Sequence, residues 1–166
     1  MSEPAGALRQ PAGEWLEPST AAWPVKGSSR KLMRGGFANA MTIDVEDYFQ
    51  VEAFASTIDR SDWESLPRRV ERNTERLLQI LAENGVEATF FMLGWVAERH
   101  PQLVRRVVAQ GHELASHGSG HLRVDRQSPA EFRDDVRRSK RVLEDFGGVP
   151  VRGYRAPTFS IGGGSK

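Results

Sequence analysis

The chain has 166 residues, 39% of them apolar and 27% charged, with a formal net charge of +1 at pH 7. That balance suits one globular domain and gives no electrostatic reason to expect nucleic acid or an anionic membrane as partner. The absence of cysteine excludes disulfides and thiolate metal sites, so any metal must be held by histidine and carboxylate, and no apolar run approaches the roughly 18 residues of a membrane span.

Residues 1–36 hold Pro4, Pro11, Pro18 and Pro24 among small residues, with no periodic apolar pattern. They are expected to be a disordered or loosely attached extension, with Met33 an alternative start. No signal-type apolar core is present there, so the chain reads as cytoplasmic. The folded part, 37–166, begins with the apolar run Phe37–Ile43, which predicts a buried strand. It leads into Asp44-Val45-Glu46-Asp47, three carboxylates in four residues, and then an irregular loop holding Phe54 and Trp63.

From about Arg68 to Asn84, Val70, Leu77, Leu78, Ile80 and Leu81 predict one broad helical face, with Gly85 at the C-terminal stop. Val86–Leu93 predicts a second strand, and Phe90, Phe91 and Met92 read as core. Pro101 opens a helix to Gln110 that Gly111 ends. A third strand, His112–Ser116, delivers His117. Ser128-Pro129-Ala130-Glu131 has the form of a helix start, with serine as cap and glutamate at the third position. That helix carries Phe132, Val136, Val142, Leu143 and Phe146 to Gly147-Gly148, and Val149–Tyr154 is expected as a fourth strand before Arg155-Ala156-Pro157.

Strands alternating with helices predict parallel βαβ units. The polar clusters at Asp44–Asp47, His117–His121 and Arg155 all follow predicted strands, and that edge of a parallel α/β sheet is where sites are built. In Glu113-Leu114-Ala115-Ser116-His117-Gly118-Ser119-Gly120-His121, two imidazoles are four residues apart. Gly118 and Gly120 argue against a helix, each costing about 1 kcal/mol in a helix interior. A glycine-rich turn can aim both rings at one point, and neutral imidazole suits zinc and similar divalent ions. His112 reads as structural and His100 as a surface loop residue. Trp95 reads as core or rim.

From about residue 37 to 161 these motifs resemble the polysaccharide deacetylases, the NodB-homology group also called carbohydrate esterase family 4. The Thr-Phe-Asp-Asp strand end of that family is matched by Thr42-Ile43-Asp44-Val45-Glu46-Asp47, its paired histidines by His117 and His121, and its Arg-x-Pro by Arg155-Ala156-Pro157. The wording Asp-Val-Glu-Asp-Tyr-Phe is closest to a subgroup associated with exopolysaccharide loci. The resemblance implies an α/β fold, a partial (β/α) barrel with parallel strands. It also implies removal of N-acetyl groups from an amino-sugar polysaccharide. Asp44 would be the general base and Arg155 the residue holding it. A divalent metal, zinc by expectation, would sit on Asp47, His117 and His121, with Glu46 a competitor for the carboxylate place.

Family members carry a later Leu-x-His motif, and no histidine follows His121 here. The chain is therefore expected to be C-terminally truncated, weakly active alone, and dependent on a completing segment or self-association. Hydrolysis of other C–N bonds, or a non-catalytic remnant, are the alternatives.

Overall fold

The computed structural model describes residues 40–162. The expectations for residues 1–36, and for the start of the first strand, lie outside the described residues. Three parallel strands form one sheet in the order β1 (Met41–Val45), β2 (Ala88–Met92), β3 (Glu113–Ser116). The register pairs Val45 with Met92 and Met92 with Ser116, so the three strands end level. Glu46, Leu93 and His117 therefore leave the sheet along one edge.

The first strand runs further than expected. Its ladder continues to Val45, which places Asp44 inside the strand rather than after it. Alternation along an extended backbone then puts Asp44 and Glu46 on the same side of the chain.

Helices α1 (Val70–Asn84), α3 (Pro101–Ala109) and α4 (Pro129–Gly147) pack their apolar stripes on the sheet and on one another. The stripe of α1 is narrower than predicted. Val70, Thr74, Leu78 and Leu81 are buried, whereas Leu77 and Ile80 are exposed, as an i, i+4, i+8, i+11 spacing requires. Gly85 closes α1 at φ 63°, a left-handed cap that glycine reaches without steric cost. Ser128 opens α4 with the full capping box, its side chain accepting from Glu131 N–H while Glu131 accepts from Ser128 N–H. Phe90, Met92, Leu103, Val104, Val107 and Leu143 form the centre of the core and are fully buried.

Two elements differ from expectation. A short helix, α2 (Gly94–Arg99), follows β2 directly and carries no side-chain cap that a sequence reading would detect. The fourth strand does not form over Val149–Tyr154, where only Tyr154 makes an isolated parallel bridge to Ser116. Pro150 has no N–H to offer. Val151 spends both backbone groups on α4, its N–H donating to Glu144 Oε1 at 2.8 Å and its carbonyl accepting from Lys140 Nζ at 2.6 Å. Pairing resumes just beyond, where Ser116 N–H donates to Gly153 O and Arg155 N–H to Ser116 O, both at 2.9 Å. This pairing brings Arg155 to the edge where β1 and β3 end. No described helix is long and apolar enough to cross a membrane.

Candidate active site

Three of the expected residues meet at the strand ends. Glu46, His117 and His121 each offer one ligand atom, and these atoms lie within 4.8 Å of one another. His117 and His121 are buried, and their rings are 5.3 Å apart between centroids at an interplanar angle of 65°. His117 Nδ1 lies 2.9 Å from the Arg155 carbonyl oxygen. A carbonyl can only accept, so Nδ1 carries the proton and Nε2 presents a lone pair. Burial holds the pKa of His117 below its ordinary value, against the nearby charge of Asp44, and so favours that neutral ring.

The contact between Glu46 and His121 tests whether a cation fits. Glu46 Oε2 is 3.0 Å from His121 Nε2, yet this buried oxygen has no hydrogen-bond partner. Two nitrogen ligands and an unsatisfied buried carboxylate oxygen form a donor set suited to a divalent metal without thiolates. The residues present therefore fit the group.

Asp47, expected as the carboxylate beside the histidines, is not with them. Its carboxylate accepts from Tyr48 N–H at 3.0 Å, Arg69 N–H at 2.6 Å and Val70 N–H at 3.0 Å. It thus caps the first 3-10 turn after β1 and satisfies N–H groups at the start of α1, 22 and 23 residues away. Both carboxylate oxygens are engaged and the residue is buried, so its work is to fasten α1 to the strand end.

Asp44 and Arg155 stand beside the cluster. Arg155 Nη1 donates to Asp44 Oδ1 at 2.6 Å, and Nη2 donates to Thr42 Oγ1 at 2.8 Å. The guanidinium lies 4.1 Å over the Phe91 ring, which the register sets opposite Asp44. Asp44 Oδ2 faces His117 Nε2 at 4.0 Å. One carboxylate oxygen is thus held by the arginine while the other faces the imidazole cluster.

The turn carrying both histidines is tightly fixed. Gly118 takes φ 82° and His121 φ 54°. Ser116 Oγ, 2.6 Å from Ser139 Oγ, accepts from Gly118 N–H at 3.1 Å. Asp135 of α4 accepts from Ser119 N–H, and burial raises its pKa against the lowering effect of that bond and of Arg60. Sequence reading singled out neither Asp135 nor Arg60. Both act from distant segments, and only their shared contact with the turn reveals them.

The remaining candidates are structural. His112 is buried against Phe90, with ring centroids 5.0 Å apart, and its Nδ1 accepts from Ala88 N–H at 3.3 Å. His100 is half-buried rather than a free surface residue, with Nδ1 3.1 Å from Glu71 Oε2. Trp95 joins Phe49 and Trp63 in an aromatic cluster, its ring 5.8 Å and 5.7 Å from theirs.

Comparison with known proteins identifies the family of the chain. The profile of the polysaccharide deacetylase family matches residues 50–163, a span that includes His117, His121 and Arg155. A chitooligosaccharide deacetylase of Bradyrhizobium sp. (strain ANU 289) is 40% identical over 70 residues, 42% of this chain and 32% of that protein. A peptidoglycan-N-acetylglucosamine deacetylase of Bacillus cereus is 33% identical over 84 residues, 51% of this chain and 39% of that protein. The chain thus spans roughly a third of the length of these curated relatives. Among solved structures, a candidate polysaccharide deacetylase from Mycobacterium smegmatis superposes with a TM-score of 0.61 at 32% identity, over 75% of this chain and 44% of that one. With its parallel α/β core and its matched span of residues 50–163, the chain belongs to the polysaccharide deacetylase family.

Proposed function

We propose that the protein contributes the metal centre and the general base of a hydrolase that removes N-acetyl groups from an amino-sugar polysaccharide. The observation that carries this reading is the meeting of Glu46, His117 and His121 beside an Asp44 gripped by Arg155. Relatives described as chitooligosaccharide and peptidoglycan-N-acetylglucosamine deacetylases support the substrate class. The wording Asp-Val-Glu-Asp-Tyr-Phe, closest to a subgroup associated with exopolysaccharide loci, supports an exopolysaccharide among the candidate polymers.

Glu46, His117 and His121 would hold the divalent ion, zinc by the balance of imidazole and carboxylate donors. Such an ion polarises an acetyl carbonyl and makes water a better nucleophile at neutral pH. Asp44 accepts the proton of the attacking water at Oδ2, the oxygen that faces His117. Arg155 keeps that carboxylate aimed, because a charge-assisted bond at 2.6 Å fixes Oδ1. The Arg155 carbonyl holds His117 in the tautomer that leaves Nε2 free to ligate.

The test is release of amine and acetate from N-acetylglucosamine oligomers by the chain extended with a family C-terminal segment, with zinc supplied and with zinc chelated. Zinc-dependent release that Asp44→Asn abolishes is expected. Release unaffected by Asp44→Asn would refute the assignment of the base.

A further inference from the structure

Each carbonyl oxygen of the turn 118–121 has a donor. Gly118 O accepts from Gly94 N–H at 2.9 Å and Ser119 O from Trp95 N–H at 2.8 Å, both at the start of α2. Gly120 O and His121 O both accept from the guanidinium of Arg60, the latter at 3.1 Å. On the opposite flank, Asp135 accepts from Ser119 N–H through both carboxylate oxygens at 3.1 Å. An arginine and an aspartate, from segments 75 residues apart, thus hold the turn from its two sides.

The two glycines of the turn make room for that pair. A Cβ on Gly118 would come within 2.8 Å of Asp135 Oδ2, and one on Gly120 within 3.0 Å of Arg60 Nη1. Gly118 also needs its positive φ, but Gly120 does not lie in the left-handed region. The smallness of residue 120 therefore answers to the arginine, not to the backbone. Arg60 is itself steadied, with its guanidinium 4.8 Å from the ring centroid of buried Trp63, which packs on Trp95. His121 is the residue with something to lose. A left-handed backbone is uncommon outside glycine, and it persists where the surroundings over-determine it.

We propose that Arg60 is a positioning residue for the metal centre: opposite Asp135, it holds the turn 118–121 so that His121 Nε2 points at Glu46 and His117. The inference rests on the reading of Glu46, His117 and His121 as metal ligands. Its sign separates positioning from simple electrostatics. A cation near a dication repels it, so a purely Coulombic Arg60 would weaken metal binding and its removal would tighten it. A positioning Arg60 does the reverse.

The experiment is Co(II) titration of the full chain, followed by the visible absorption of bound Co(II), with far-UV circular dichroism confirming the fold. Arg60→Gln should weaken Co(II) binding by about 10–100-fold, the usual effect of losing a partner that orients a ligand, and should alter the absorption band. Arg60→Lys, a point charge without the fork, should recover only part of the affinity. Gly120→Ala should weaken binding in the native background and add little in the Arg60→Gln background, since its Cβ acts by displacing that guanidinium. If Arg60→Gln does not fold, Gly120→Ala decides. Native affinity in Arg60→Gln and Gly120→Ala, with binding lost in His117→Ala, would overturn the clamp and leave the metal reading intact. A native chain that binds no Co(II) would overturn both.

Discussion

His117 and Arg155 are joined through the main chain: the imidazole Nδ1–H donates to the Arg155 carbonyl oxygen at 2.9 Å, while the guanidinium of the same residue reaches Asp44 at 2.6 Å. One residue thus serves two groups with different atoms, and substitution separates them. Arg155→Ala removes the guanidinium but keeps the carbonyl. Zinc affinity should therefore stay within about twofold of native, while deacetylation should fall by roughly 10²-fold or more as the base loses its partner. Calorimetric zinc titration beside an amine-release assay measures both, and parallel losses would show that the two roles are not separable.

Asp47 makes a complementary prediction. Its three accepted N–H bonds fasten α1 to the strand end, and buried N–H groups would lose their partner on substitution. Asp47→Ala should destabilise the fold by about 2–3 kcal/mol, combining lost capping with buried, unsatisfied donors. Urea unfolding checks the loss. In the folded variant zinc affinity should be unchanged, since the carboxylate points away from the imidazoles.

The capping box of α4 is simpler. Ser128→Ala removes the acceptor for Glu131 N–H and should cost about 1 kcal/mol, read as a lower urea midpoint with an unchanged slope. Metal binding should be unaffected, because Asp135 stays in place about two turns further on.

Buried His112 sets a pH dependence away from the metal site. Desolvation lowers its pKa from the ordinary 6.5, so below that pH the unfolded chain takes up a proton that the folded one refuses. Stability then rises with pH between the folded and unfolded values, and the contribution of His112 is lost as pH falls from 6.5 through the folded value. The difference in stability between the native chain and His112→Gln should accordingly change over that window and level off above it. A difference that is flat with pH would contradict the assignment.

Much of this architecture was legible because local chemistry declared it. Gly85, Gly111, Ser128 and Gly148 mark helix ends by their own backbone and side-chain requirements, and the structure has helix ends at each of them. The strand ends converge because parallel pairing levels Val45, Met92 and Ser116. What stayed hidden depends on distant partners. Asp47 and Glu46 are adjacent acids, and only the arrival of Arg69 and Val70 N–H groups assigns one to a helix end and leaves the other beside the histidines. Val149–Tyr154 has strand composition, but Lys140 and Glu144 compete for its backbone. Arg60 looks like any loop arginine until its guanidinium is seen on Gly120 and His121.

The central claim is that Glu46, His117 and His121 hold one divalent ion. It is tested most directly by zinc titration of the native chain beside Glu46→Gln, His117→Ala and Asp47→Asn, each confirmed as folded. One equivalent of zinc in the native protein is expected. Glu46→Gln and His117→Ala should lose at least about tenfold in affinity, and Asp47→Asn should bind as the native protein does. Equal binding by the native chain and His117→Ala, or a larger loss for Asp47→Asn than for Glu46→Gln, would contradict the account.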